Sequence, residues 1–336
     1  VLRKPPDVFT YAALAAAMLA ALAVGLFTGG TYIAPGDVAY ALVHPRLSND
    51  VGTIVWALRL PRVAIAACVG ASLAISGFLL QALLRNPLVD PFLTGVSAGS
   101  AAAVAVAIAA GVAAPFVPPL GFAAGLGTAI LVGFLARRGG GIDVERLILA
   151  GVSLSALFSA IVTLALLRLG RGGGDTVLAW LAGSLAGRGW GELGVVLPYL
   201  GAGGLLAAAA VPALNALRLG HGLARAVGVD VARTQWLVLG STALLVAAAV
   251  TLSGIVGFVG LIVPHVARRI TGTDARRSLV SAAMLGATLV PLADALARSL
   301  LPPLEIPLGV LLAFAGVPAF LYLYLRPQGA RKLWGT

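Results

Sequence analysis

LSGIVGFVGLIVPHVARRITGTDARR, residues 252–277, joins an apolar run to a basic tail. Gly254, Gly257 and Gly260 recur at every third position of the apolar part. Small residues at that spacing let a membrane helix approach a neighbour closely. Pro264 inside such a run is tolerated where neighbours re-satisfy the carbonyl it frees. His265 follows, then Arg268, Arg269, Asp274, Arg276 and Arg277. An arginine cluster marks the side of a span that stays in the cytosol. The stretch therefore predicts a closely packed, broken membrane helix that ends at a basic cytoplasmic turn. Taken alone, His265 reads as an ordinary histidine near a helix end rather than as a chemical group.

Working outward, the rest of the chain has the same character. Of 336 residues, 60% are hydrophobic and 10% charged, against about 25% charged in a soluble domain. The composition predicts an all-α, polytopic membrane protein forming one transmembrane domain over residues 1–336, with no separate soluble domain. The net charge of +11 raises nucleic acid or anionic lipid as partners. The basic residues stand in short clusters between apolar runs with little aromatic interleaving, which favours topology signals and contact with lipid over nucleic-acid binding. A single cysteine, Cys68, forms no intramolecular disulfide, and with the widely separated His44, His221 and His265 it makes no recognisable metal-ligand set.

Apolar runs long enough to span, about 20 residues each, fall at 11–29, 62–83, 93–112, 116–136, 147–168, 193–213, 235–252, 254–270, 279–299 and 307–325. Ten spans put both termini on one side. The first run, preceded by Arg3 and Lys4, reads as a retained helix rather than a signal peptide. Of the 23 Lys and Arg residues, sixteen then fall on the proposed cytoplasmic side, Arg326, Arg331 and Lys332 among them, and seven on the other, Arg46 among them. The bias places both termini in the cytosol. The longest connections are 30–61, 169–192 and 214–234.

Several functions are excluded by what is missing. Lys4 and Lys332 are the only lysines, and no GxxxxGK[ST] loop is present, so the chain does not cradle nucleotide phosphates in the P-loop manner. Proton- or ion-coupled carriers show intramembrane carboxylates or histidines, and these spans hold almost none. Three classes remain: a passive pore, a structural subunit, or a permease driven by a partner. The segment Asn215–Gln235 favours the last. Its apolar residues Leu219, Leu223, Val227 and Val231 recur at helical spacing, as in a short amphipathic helix that inserts into a partner's groove.

The chain resembles the permeases of ABC importers for iron chelates and cobalamin, the FecCD family. The matching stretches are LRLPR at 58–62, GASLAISGFLLQALLRNPLVDPFLTGVSAGS at 70–100, RLILAGVSLSALFSA at 146–160, WLAGSLAGRGW at 180–190, LARAVGVDVAR at 223–233, SGIVGFVGLIVPHVARRITGTDARR at 253–277, LADALARSLLPPLEIPLGV at 292–310 and GVPAFLYLY at 316–324. What the resemblance implies is a ten-helix subunit of the inner cell membrane, working as a homodimer. Two cytoplasmic ATPase subunits, which use ATP and Mg, drive it, and an extracytoplasmic binding protein delivers the ligand. This chain itself would hold no cofactor. The fifth and tenth helices would line the pathway. Leu223, Ala224, Arg225, Ala226, Val227, Gly228 and Val229 correspond to the segment that couples to the ATPase. Asn86, Pro87 and Leu88 match a turn that closes the pathway at its cytoplasmic end. Asp143, Val144 and Glu145 fall where the family has a second gate, although some relatives carry small polar residues there. Arg59, Arg62 and Arg298 match arginines that meet carboxylates on the binding protein. The expected cargo is a ferric siderophore or haem, with cobalamin as the alternative; a passive channel and a structural subunit are the alternatives of other classes.

Overall fold

The computed structural model describes residues 8–45, 49–138, 141–218, 220–301 and 304–325. Arg3, Lys4, Arg46, Arg326, Arg331 and Lys332, which entered the charge count, lie outside the described residues.

In chain order the helices are α1 (Val8–Phe27), α2 (Pro35–Val43), α3 (Asp50–Thr53), α4 (Leu60–Leu84), α5 (Val96–Ala109), α6 (Val117–Leu135), α7 (Val144–Leu181), α8 (Trp190–Leu217), α9 (His221–Ala226), α10 (Val231–Ser253), α11 (Val259–Thr271), α12 (Ala275–Ser299) and α13 (Leu308–Leu325). A two-stranded antiparallel ribbon, β1 (Arg137–Arg138) and β2 (Gly141–Ile142), precedes α7. The expected all-α architecture holds, and each of the ten predicted spans falls on a helix.

Among the described residues, seven segments are long and apolar enough to cross a membrane: Val8–Phe27, Asp50–Leu84, Ala114–Leu135, Val144–Gly170, Trp190–Leu217, Val231–Ser253 and Ala275–Ser299. The other three predicted spans correspond to the shorter α5, α11 and α13. Two predicted connections are largely helical. Within 30–61, α3 runs through one π-helical turn (Ile54–Arg59) into α4. Pro61 has no N–H to give Ala57, and the Leu60 N–H goes to Val55 O, one residue farther back than in an α-helix. Within 169–192, α7 continues to Leu181 past a break at Gly170, whose φ of 58° ends regular helix geometry.

The core is built around α4 and α10, which pack on each other. On its other sides α4 meets α12 and α11, and α10 meets α8 and α6. Glycines set the closest approaches. A methyl group on Gly70 would strike the Gly286 carbonyl of α12, and one on Gly77 would strike the Gly260 carbonyl of α11. Without a hydrophobic force between helices in lipid, such backbone contact is what holds a bundle together.

Candidate functional site

At the end of the bundle where α1 finishes and α4 begins, Arg59, Arg62 and Arg298 come together, and all three are occupied within the chain. Arg59, 5% exposed, donates to the carbonyls of Leu26 (2.9 Å), Phe27 (3.4 Å) and Thr31 (2.6 Å). Arg298, 4% exposed, donates to Gly25 O and Thr28 O, both at 3.1 Å. A helix leaves its last carbonyls without partners, and these two guanidiniums supply the donors for α1. Asp294, 1% exposed, lies 3.1 Å from Arg298 and 2.9 Å from Arg62. Arg62 also grips Glu305, an exposed residue just before α13, at 2.8 Å. In the sequence only Arg298 has a carboxylate at helical spacing, Asp294 four residues before it, whereas in the folded chain every one of the three has internal partners.

The opposite end is organised by neutral carboxamides. α10 starts at this end and runs 23 residues, about 34 Å, to Ser253; the chain leaves helix geometry from Gly254 (φ 68°) to Phe258 (φ 68°), and α11 starts at Val259. Gly254, Gly257 and Gly260 therefore do not share one helical face. Gly254 turns the chain against the Trp180 carbonyl, Gly257 lies in the break, and Gly260 opens α11 against Pro91. Pro264 has no N–H for the Gly260 carbonyl four residues back. Gln81 of α4, fully buried, supplies the donor: its Nε2 lies 3.2 Å from both Gly260 O and Leu261 O and 3.1 Å from Val89 O. The buried Arg268 guanidinium donates to Gln81 Oε1. His265 takes no part, and its Nε2 is buried with no hydrogen-bond partner among the described residues.

The turn after α4 begins at Arg85, in the left-handed region at φ 50°. Asn86 Oδ1 accepts from the Leu88 N–H at 2.9 Å, which shapes the Asn86–Pro87–Leu88 turn. Asn86 and Leu88 are exposed and Pro87 is half-buried. The 3₁₀ turn that follows (Pro91–Thr94) packs on α7, where Leu93 O meets Gly151. Asp143 caps α7 by accepting from the N–H groups of Glu145 (3.0 Å) and Arg146 (3.2 Å), and lies 3.7 Å from Arg138. Val144 is half-buried and Glu145 exposed. The two predicted gate segments are thus each shaped by their own turn.

Between α8 and α10 the chain forms the six-residue α9. The predicted apolar stripe does not run on one helix. Leu219 lies outside the described residues, Gly228 turns the chain at φ 85°, and Val231 is buried at the start of α10. Leu223 and Val227 project outward at 58% and 65% exposed, while Ala224 is fully buried beneath them. Arg225, Ala226 and Gly228 are exposed, and Val229 is half-buried. The segment is anchored on both sides. Upstream, Asn215 Oδ1 accepts from the Ala275 N–H at 2.8 Å, Asn215 Nδ2 donates to Asp274 at 3.1 Å, and Arg218 donates to Thr273 O at 2.5 Å. Downstream, Asp230 caps α10 by accepting from the Arg233 N–H, and Gln235 bonds both backbone groups of Ile142.

Sequence reasoning missed Gln81, Gln235 and Glu305. The signal for the two glutamines was present: a carboxamide inside an apolar run finds a partner or costs free energy.

The FecCD transport family model matches residues 17–326. Curated relatives agree across their length. An Fe(3+)-citrate import system permease protein, YfmE of Bacillus subtilis (strain 168), is 33% identical over 308 residues, covering 91% of each chain. The hemin transport system permease protein HmuU of Yersinia pestis is 36% identical, covering 93% of this chain and 95% of its own. The cobalamin import system permease protein BtuC of Halobacterium salinarum (strain ATCC 700922 / JCM 11081 / NRC-1) is 37% identical over 93% of this chain and 84% of its own. A solved structure described as an inward-facing conformation of a metal-chelate type ABC transporter superposes with a TM-score of 0.84 at 33% identity, covering 94% of this chain and 98% of that one. With its helices, its interrupted α10–α11 stretch and these matches in agreement, the chain belongs to the FecCD transport family.

Proposed function

We propose that this chain is the membrane-spanning permease subunit of an ATP-driven ABC importer, passing a metal chelate from an extracytoplasmic binding protein into the cytoplasm. The observation that carries this reading is the segment around α9. It is pinned by hydrogen bonds upstream and downstream and turns Leu223 and Val227 outward. Two apolar side chains one turn apart on a short tethered helix suit insertion into a partner's groove. Leu223–Val229 is thus the stretch that meets the ATPase. Asn86–Leu88 and Asp143–Glu145 close the pathway at the same end, and the chain works as a homodimer with both termini in the cytosol. ATP and Mg are used by the partner, and the chain alone hydrolyses no ATP.

The cargo we favour is a ferric siderophore or haem, supported by relatives named for Fe(3+)-citrate and hemin. The cobalamin relative supports the second reading. Docking of the binding protein falls to the face carrying Arg59, Arg62 and Arg298. Arg62, whose partner Glu305 is exposed, is the one of the three suited to exchange an internal carboxylate for one from a partner.

The test is reconstitution in liposomes with the ATPase and binding protein. ATP-dependent uptake of a ferric siderophore or haem, exceeding that of cyanocobalamin, is expected; uptake without ATP would overturn the reading in favour of a passive channel. Surface plasmon resonance tests docking. Arg62→Gln is expected to weaken binding-protein affinity and flatten its salt dependence, and wild-type affinity at both low and high salt would remove Arg62 from the docking face.

A further inference from the structure

We infer that Gln235 is the positioning residue that links the α9 segment to α7; this rests on the reading of that segment as the ATPase contact. Its carboxamide accepts from the Ile142 N–H at 2.8 Å and donates to the Ile142 carbonyl at 2.9 Å. Gln235 is buried and lies one turn into α10, just past the segment; Ile142 lies two residues before α7 begins. Both backbone groups of the β2 residue therefore point away from β1 and are taken by one side chain, as a third strand would take them.

α10 also packs on α6, where a Cβ on Gly133 would lie 3.1 Å from the Trp236 ring, but the clasp is the hydrogen-bonded link to the ribbon itself. An open cleft of about 350 Å³ lies between the ribbon and the segment, with Arg138 and Asp143 on one wall, Arg225, Val229 and Asp230 on the other, and Gln235 and Ile142 bordering it. Close packing transmits displacement because it leaves no room to yield, and an open cleft does not. Gly141 fits beside the clasp, since a Cβ there would lie 3.0 Å from Gln235 Oε1. A second contact between ribbon and α10, the Arg137 guanidinium 5.9 Å from the Trp236 ring centre, is a cation–π contact at an exposed arginine and correspondingly weak. The upstream anchors at Asn215 and Arg218 lead to the start of α12. Displacement of the segment reaches α7 through the Gln235–Ile142 pair.

The test uses the full permease in complex with its ATPase, with Cys68→Ala as background. An environment-sensitive fluorophore is placed at Arg225→Cys, on the segment, or at Arg146→Cys, in the first turn of α7; both positions are exposed. Addition of ATP and Mg is expected to change the signal at both positions in the parent. In Gln235→Met the signal at 225 should persist, while the change at 146 falls about fivefold. Gln235→Glu keeps the acceptor for the Ile142 N–H and loses the donor, so its response at 146 should be intermediate. An unchanged response at 146 in Gln235→Met overturns the inference. So does loss of both signals together with a lowered melting temperature, since Gln235 would then serve the fold alone. No response at 225 in the parent overturns the reading of the segment itself.

Discussion

The two ends of this bundle solve the same problem with different chemistry. At one end, helix termini and bends are held by charges: Arg59 and Arg298 take five carbonyls at the end of α1, and Asp294 is shared by Arg62 and Arg298. At the other, neutral carboxamides do the holding: Gln81 on the first turn of α11, Gln235 on the ribbon and Asn215 on the α12 turn. A buried charge removed from its partner costs several kcal/mol. A neutral hydrogen bond contributes about 0.5–1.5 kcal/mol net. The charged end is thus built to stay fixed. At the amide end the Gln235–Ile142 and Asn215–Ala275 bonds are neutral and break and re-form cheaply, which suits the face proposed to couple, while Gln81 is held more firmly through the Arg268 guanidinium.

The largest effect should come from Asp294→Leu, which strips the shared carboxylate from the buried Arg298 and the half-buried Arg62. A loss of about 3–5 kcal/mol is expected, read as a lowered melting temperature in detergent, and a change below about 1 kcal/mol would erase the contrast. Gln81→Leu should follow. It removes a donor from the Gly260 carbonyl and one acceptor from the Arg268 guanidinium, at about 1–3 kcal/mol. The melting temperature should fall less than for Asp294→Leu, and an equal or larger fall would break the ordering of the two ends.

Bulky charged residues in place of Ala226 and Val227 should barely move stability, because both are exposed, yet should abolish ATP-driven uptake; a fully coupled transporter would refute the coupling role of the segment. Asn86→Ala removes the acceptor that shapes its turn and Leu88→Ala removes an exposed apolar contact. Either should raise leakage of ligand from reconstituted complexes, and unchanged flux would leave the turn structural.

A further effect is electrostatic. Desolvation beside the Pro91–Thr94 turn pushes the Asp90 carboxyl up to about 6, against a smaller opposing pull from the Phe92 N–H. A carboxyl raised on folding binds its proton more tightly in the folded state. Its contribution is therefore unfavourable above about 6 and vanishes as pH falls below the ordinary carboxylate range. Asp90→Asn should flatten the pH dependence of the melting temperature between roughly 4 and 6, and an unchanged profile would remove Asp90 as its source.

Much was legible in the residue order. Hydrophobic runs, arginine bias and the glycine–proline interruption after Leu252 are local properties, written in consecutive residues, and they predicted a polytopic helical bundle and the position of its helices. The motifs around Asn86, Leu223 and Pro264 likewise pointed to the family. What consecutive residues do not contain is who meets whom across the bundle. The arginines at 59, 62 and 298 looked available because only Asp294 stood at helical spacing from one of them. Folding brings α1, α4 and α12 together and uses all three. Gln81 stands in an apolar run and Gln235 at the edge of one, yet their partners lie 179 and 93 positions away. The three glycines at even spacing looked like one face, and a left-handed turn at Gly254 split them. Pattern fixes which segments enter the membrane, because partition into lipid depends on each segment's own composition. The pairing of buried polar groups depends on distances that exist only once the helices have packed.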